Sequence, residues 1–252
     1  VKALIAVNVV CYVAFLIALR AGLTSLPALL SLHPPAFFTG SVWQAVTAVV
    51  LHDPSSPGHL VFNVLFLWLF GSQYEGMVGT RKLFTTYAWA ALGGVALALF
   101  LGGLGLLIPS LPILPEIGNA YHLGASGAVM GLLMAWAGSM GNRSMNFFLL
   151  GEMKARTFAL IIVAIELIRL LSFDTASASM HLGGMAMGWA IGTGRWPPDR
   201  RKAKLRREQK RIEKELRRFE VIEGGRTGPP SSPPRGWVGP GGQDDDGGPL
   251  VH

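Results

Sequence analysis

The sequence predicts an all-α membrane protein, a bundle of six transmembrane helices followed by a basic cytoplasmic tail, and three observations lead there. Half of the 252 residues are hydrophobic and only 15% are charged, so the mean hydropathy of +0.41 lies on the apolar side of what a soluble domain carries. Several apolar runs approach the roughly 20 residues that a helix needs to cross a bilayer. The charges, finally, are concentrated after Arg195, so residues 1–195 read as one membrane unit and the net charge of +7 belongs mostly to the tail.

Six apolar segments can be placed, at about 3–22, 58–77, 82–104, 123–140, 156–173 and 177–194. The first is too long, and too poor in a small-residue cleavage site, for a secretory leader, so it reads as an anchor. Arg81 and Lys82 fall between the second and third segments, and Arg143, Lys154 and Arg156 between the fourth and fifth. The dense Arg/Lys run from Arg195 to Arg218 follows the sixth. The positive-inside rule makes these connections cytoplasmic. The alternate connections, 23–57, 105–121 and 174–176, contain no Lys or Arg. An integral multi-pass protein with both termini cytoplasmic satisfies every loop. Arg20 is the exception, and its long stem can snorkel to the headgroups.

Connection 23–57 carries Pro27, Pro34 and Pro35 and then FFTGSVWQAVTAVVL, which predicts an amphipathic, partly submerged element with Trp43 at the interface. Residues 196–223 read as a basic cytoplasmic helix with Leu205, Ile212, Leu216 and Phe219 along one side. Residues 224–252, rich in Gly and Pro, are expected to be disordered. The basic helix is expected to lean on anionic lipid, since no aromatic residues are interleaved for base stacking and no nucleic-acid partner is expected. Cys11 is the single cysteine, so neither an intramolecular disulfide nor a cysteine metal site can form. No metal or other cofactor is expected.

Polar side chains inside spans are costly unless paired or functional, which leaves a short list: His59, Asn63, Ser126, Glu166, Arg169 and His181. Taken singly, a membrane serine more often bonds a carbonyl one turn back or aids packing. His59 and Asn63, four apart, share a helix face and could simply bond a neighbouring helix. Glu166 and Arg169, three apart, can neutralise each other and read as structural. Depth changes the weighing. At 1.5 Å per residue, Ser126 and His181 each lie roughly 20 Å above the cytoplasmic ends of their helices, and Asn63 lies at about that height on its own. Three independent helices therefore bring a nucleophile, a base and an amide donor to one layer, roughly 10 Å below the outer boundary of a core about 30 Å thick.

Glycine spacing agrees. Gly184, Gly188 and Gly192 repeat every fourth residue in the sixth segment, as do Gly127 and Gly131 in the fourth. Such ridges permit the close helix approach that a Ser–His hydrogen bond demands.

With these residues in place, the chain resembles the rhomboid family of intramembrane serine proteases. The resemblance rests on VWQAVTAVVLH ahead of the second segment, HLVFN at 59–63, GASG at 124–127 and HLGGMAMG at 181–188, and it covers about 1–195. It implies a six-span core in which Ser126 is the nucleophile and His181 the general base, a dyad without a third carboxylate. His59 and Asn63 would line the oxyanion hole, and Gly124 would leave the backbone ahead of Ser126 open to the scissile carbonyl. Glu75 matches a structural acidic position. Substrates would be single-span membrane proteins whose helix is locally unstable near the outer face. Three departures stand out: Gln44 follows Trp43 where the family often has Arg, two more residues separate His52 from His59 than in some members, and Met130 replaces a Tyr that stacks on the base in certain relatives. Apolar contact is expected to hold His181 instead.

The start of the fourth segment would lend Ser126 the positive end of a helix dipole, and its own N–H can point at a developing oxyanion. Water would enter from an outward cavity, with DTASAS at 174–179 as a flexible lid. Other readings are weaker. A catalytically dead relative would typically lack the nucleophile or the base. A transporter would favour internal repeats. Zinc or aspartyl intramembrane proteolysis needs His-Glu-x-x-His or two membrane aspartates, and neither pattern is present.

Overall fold

The computed structural model describes residues 1–147, 151–172, 174–196 and 208–215. It is mostly helical, and its contacts divide the chain into Val1–Asp199 and Arg200–His252. In the second unit, 208–215 is an exposed helical stretch in which Arg211 pairs with Glu215 at 3.3 Å. The expected disorder of 224–252, and most of the basic helix, lie outside the described residues.

A helix or continuous helical run makes up most of each of the six apolar segments. They are α1 (Lys2–Arg20), the run from α5 (Pro57–Phe66) through a π-helical turn (Leu67–Gly71) to α6 (Ser72–Val78), then α7 (Thr80–Leu107), α9 (Ser126–Met140), α10 (Ala155–Leu171) and α11 (Thr175–Gly192). Lys2–Arg20 and Thr80–Leu107, with mean hydropathies of 2.3 and 2.2, are each long and apolar enough to cross a membrane unaided. Apolar side chains point outward from the rim, among them Val10, Ile17, Val61, Phe62, Leu160, Ile168 and Leu171, all more than half exposed. A surface of that kind suits lipid and would aggregate in water.

Helix α9 is apolar all round and is accordingly the buried centre. Around it stand α7, α10, α11 and the α5–α6 run. Phe70, on the π-helical turn, packs at 5.0 Å from the ring of Trp136 on α9 and 5.5 Å from Phe158 on α10. The two predicted glycine ridges interlock. A methyl on Gly188 would collide with the Gly131 carbonyl, and one on Gly184 with the Gly127 carbonyl. Helix α7 adds a glycine pair against α11: a Cβ on Gly94 would stand 2.7 Å from the Met180 carbonyl oxygen, and one on Gly93 2.8 Å from that of Gly183.

Three local expectations are corrected. The chain is not wholly α, because the α9–α10 connection forms a small antiparallel ribbon of β1 (Ser144–Phe147) and β2 (Gly151–Lys154), with Ser144 opposite Lys154. A long connection between helices leaves its backbone groups without helical partners, and pairing of the two strands satisfies them. The segment expected to be a flexible lid is instead the first turns of α11, with Thr175, Ala178 and Ser179 buried. Small residues there let the helix start early and pack closely. Connection 23–57, in place of one amphipathic element, holds three short helices, α2 (Leu26–Leu30), α3 (Pro34–Phe38) and α4 (Gln44–Thr47), separated by turns.

This connection is stapled to the approach to α9, beyond α8 (Leu114–Asn119). Leu32 and His122 exchange both backbone hydrogen bonds, at 2.9 and 2.8 Å, and the Gly124 N–H donates to the Ala48 carbonyl at 2.9 Å. Those bonds let residues 122–125 run non-helically inside the bundle, since irregular backbone at membrane depth must be satisfied by protein. As a result α9 starts at Ser126, well inside the fold.

Candidate active site

Ser126 occupies the first position of α9, and the first bond back along that turn is donated by Val129 to the Ala125 carbonyl at 3.0 Å. The amides of Ser126, Gly127 and Ala128 therefore have no carbonyl one turn behind them and are presented at the helix mouth. His181 sits on the second turn of α11. Its Nε2 lies 2.7 Å from Ser126 Oγ, and both side chains are buried, at 6% and 4% exposure for the residues. The contact is fixed by glycine on both sides of Met180, whose carbonyl is approached by Gly94 from α7 and Gly127 from α9. The backbone that carries His181 is clamped at the residue before it.

The other ring nitrogen is also occupied. Nδ1 of His181 lies 2.9 Å from Oε2 of Glu166 on α10, a residue only 2% exposed. The second carboxylate oxygen, Oε1, accepts from Arg169 at 3.0 Å, and Arg169 in turn pairs with Asp174 just before α11. The reading of Glu166 and Arg169 as a self-sufficient ion pair is thus incomplete. The pair exists, but a carboxylate has two oxygens and the free one meets the imidazole. Met130 lines the same cavity as His181, and the polar contact to Glu166 also holds the His181 ring.

Ser126 and His181 open on a cavity of about 580 Å³. Its walls include His59, Phe62 and Asn63 from α5, Met130 from α9 and Arg169 from α10. Gly124 stands between two of the groups, with φ of +130°, a backbone region that side chains avoid. A Cβ there would lie 3.0 Å from His59 Cε1 and 3.3 Å from Ser126 Oγ. The structure therefore brings all five predicted site residues, Ser126, His181, His59, Asn63 and Gly124, to one place. Glu75, away from this group, accepts a hydrogen bond from Thr80 at 2.9 Å.

Sequence reasoning passed over His52 as well as Glu166. His52 is fully buried and its Nε2 lies 2.9 Å from Nδ2 of Asn63. The amide can only donate, so Nε2 accepts and the ring is neutral at that nitrogen. Burial, reinforced by the positive charge that His59 can carry, pushes the His52 pKa down to about 4. Gln44 also has a definite place. It is buried, accepts from the His33 N–H at 3.1 Å and donates toward the carbonyls of Ala28 and Leu29, both at 3.3 Å. At this position the chain uses an inward loop brace and makes no lipid-facing contact. Among the described residues no cluster of three or more His, Cys, Asp or Glu could hold a metal ion.

Chemically, the arrangement can deprotonate a serine and hold charge beside it. A neutral Nε2 at 2.7 Å can take the hydroxyl proton, while amides at a helix mouth and the Asn63 side chain offer donors to an oxyanion.

Residues 39–198 match the family model described as Rhomboid domain. The chain is 30% identical over 161 residues to Rhomboid-like protease 3 of Toxoplasma gondii, covering 63% of this chain and 54% of that protein. It is 29% identical over 153 residues to Rhomboid protease GluP of Bacillus subtilis, covering 60% of this chain and 25% of that protein. The chain thus spans about half the length of the first of these relatives and a quarter of the second.

Proposed function

This chain belongs to the rhomboid family of integral membrane proteins, and from that premise we propose that it is an intramembrane serine endopeptidase. Its substrates are single-span membrane proteins, cut near the outer face. The observation that carries this reading is the 2.7 Å contact between Ser126 Oγ and His181 Nε2 beside a cavity.

In this reading the bundle crosses a bacterial plasma membrane six times, with the Arg81–Lys82 and Arg143–Arg156 connections facing the cytoplasm. Ser126 Oγ attacks the scissile carbonyl as His181 Nε2 takes its proton. The tetrahedral oxyanion is held by Asn63, by His59 and by amides at the start of α9, each such donor lowering the barrier by about 3 kcal/mol. His181 then protonates the leaving amine, and a water entering the cavity hydrolyses the acyl-enzyme with His181 again as base. A substrate helix must unwind locally before its carbonyl can reach Ser126, because a stable helix keeps its amides in its own backbone bonds. The basic segment after Arg195 contacts anionic lipid.

The test is cleavage of a single-span substrate co-reconstituted with the protein in vesicles. Wild type cuts it, while Ser126→Ala and His181→Ala insert normally and do not. Activity retained by either variant would place the chemistry elsewhere.

A further inference from the structure

The carboxylate of Glu166 has a geometric role that its charge pairing does not explain. Helices α10 and α11 run antiparallel, with three residues between the end of one and the start of the next. Glu166 lies five residues before the end of α10 and His181 six residues after the start of α11, so at 1.5 Å per residue they sit at matching heights, roughly 8–9 Å from those ends. Their contact is direct, Oε2 to Nδ1 at 2.9 Å, and both groups are nearly sealed from solvent. Burying a carboxylate here is costly unless every oxygen is used. Arg169 satisfies one oxygen and His181 the other.

We propose that Glu166 is a positioning residue that makes Ser126, His181 and Glu166 a three-part relay, a reading that rests on the serine-protease function above. An ionised carboxylate can only accept, so it fixes the proton of neutral His181 on Nδ1 and leaves Nε2 bare toward Ser126. When Ser126 Oγ bonds to the carbonyl carbon, its proton moves to Nε2, and the imidazolium that results donates from Nδ1 to Glu166, which itself stays ionised. The proton then leaves Nε2 for the departing amine as the C–N bond breaks. Charge bookkeeping favours this step: Glu166, Arg169 and Asp174 together carry one net negative charge, which the imidazolium neutralises. Arg169 has a second effect. By donating to Oε1, and by being held itself by Asp174 at the foot of α11, it fixes which carboxylate edge faces the ring.

Arg169 also makes the substitution Glu166→Gln informative. Its five donors orient the amide oxygen toward itself, so the glutamine NH₂ faces His181 and donates to Nδ1. The ring proton is thereby forced onto Nε2, the wrong tautomer for a base. In reconstituted vesicles Glu166→Gln lowers kcat by at least about 10²-fold, toward the roughly 10⁴-fold seen when a triad acid becomes its amide, with KM within about twofold of wild type. Glu166→Asp, shorter by one methylene, recovers part of the loss. Imidazole ¹⁵N NMR of the detergent-solubilised wild-type protein, with the resonances assigned through His181→Ala, finds the His181 proton on Nδ1, and Glu166→Gln moves it to Nε2. Turnover by Glu166→Gln within about threefold of wild type, or a wild-type His181 protonated on Nε2, overturns the proposal even while proteolysis stands. If instead wild type neither cuts substrate nor labels at Ser126, the protease reading fails. The wild-type tautomer still reports on Glu166 in that case, and it also decides the matter if Glu166→Gln does not fold.

Discussion

Asn63 is held in place from outside its own helix, by the 2.9 Å contact between its Nδ2 and Nε2 of His52. One amide hydrogen is thereby spent on orientation, and the second is left for the cavity that Asn63 lines. Asn63→Ala should lower kcat by about 100-fold or more, the usual cost of an oxyanion donor. His52→Ala leaves the donor present but loose, and about tenfold is expected. Steady-state cleavage of the reconstituted substrate measures both. A His52→Ala variant as impaired as Ser126→Ala would mean that His52 does more than orient.

Burial of the His52 ring makes folding sensitive to acid. The His52 pKa is down to about 4 in the folded protein against 6.5 in a free chain, so between those values the unfolded chain takes up a proton that the folded one refuses. The stabilisation is complete above about pH 6.5 and is lost as pH falls toward 4, an effect on the order of 3 kcal/mol at most. Thermal unfolding in detergent across this window should show wild type losing stability steadily with acid and His52→Gln losing less. Parallel curves for the two proteins would remove His52 as the source.

Gly124 should tolerate no side chain. Its φ of +130° strains any other residue, and a methyl would press on His59 Cε1 at 3.0 Å and Ser126 Oγ at 3.3 Å. Gly124→Ala is expected to lower kcat at least about tenfold, since misplacing a reacting group by a fraction of an ångström is costly. Cleavage kinetics alongside a melting curve would check it. Full activity would show that the loop relaxes freely.

Helix contact at Met180 gives a matched pair of substitutions. Gly94→Ala drives a methyl toward the Met180 carbonyl, so it should destabilise the bundle by about 1–3 kcal/mol and displace His181. Gly76→Ala, at an exposed position of α6 with nothing within 4 Å, should be neutral or stabilise by about 0.5–1 kcal/mol. Melting temperatures and turnover for the two variants should diverge. Equal effects would argue against glycine packing as the clamp.

Much of this site was legible in the sequence because it is written in helix periodicity. Ser126, His181 and Asn63 share a depth that follows from counting residues, and the ridges at Gly127/Gly131 and Gly184/Gly188/Gly192 state their own packing. Glu166 was hidden for a physical reason. Arg169, one turn away, accounts for its charge, and nothing in a linear sequence says which of two carboxylate oxygens remains free. His52 was obscured because it lies in a non-helical stretch where spacing predicts no facing partner. The β1–β2 ribbon and the early start of α11 were missed likewise, since both occur where the apolar pattern ends and local backbone satisfaction takes over. Gln44 reads as a substitution on a surface until its three bonds to the 28–33 backbone are seen.

The central claim is that Ser126 is a nucleophile activated by His181, and covalent labelling with a fluorophosphonate probe tests it most directly. Detergent-solubilised wild-type protein should be labelled at Ser126, identified by peptide mass, while Ser126→Ala should take no label and His181→Ala very little. Folded wild-type protein that stays unlabelled, or labelling that persists in Ser126→Ala, would contradict the account.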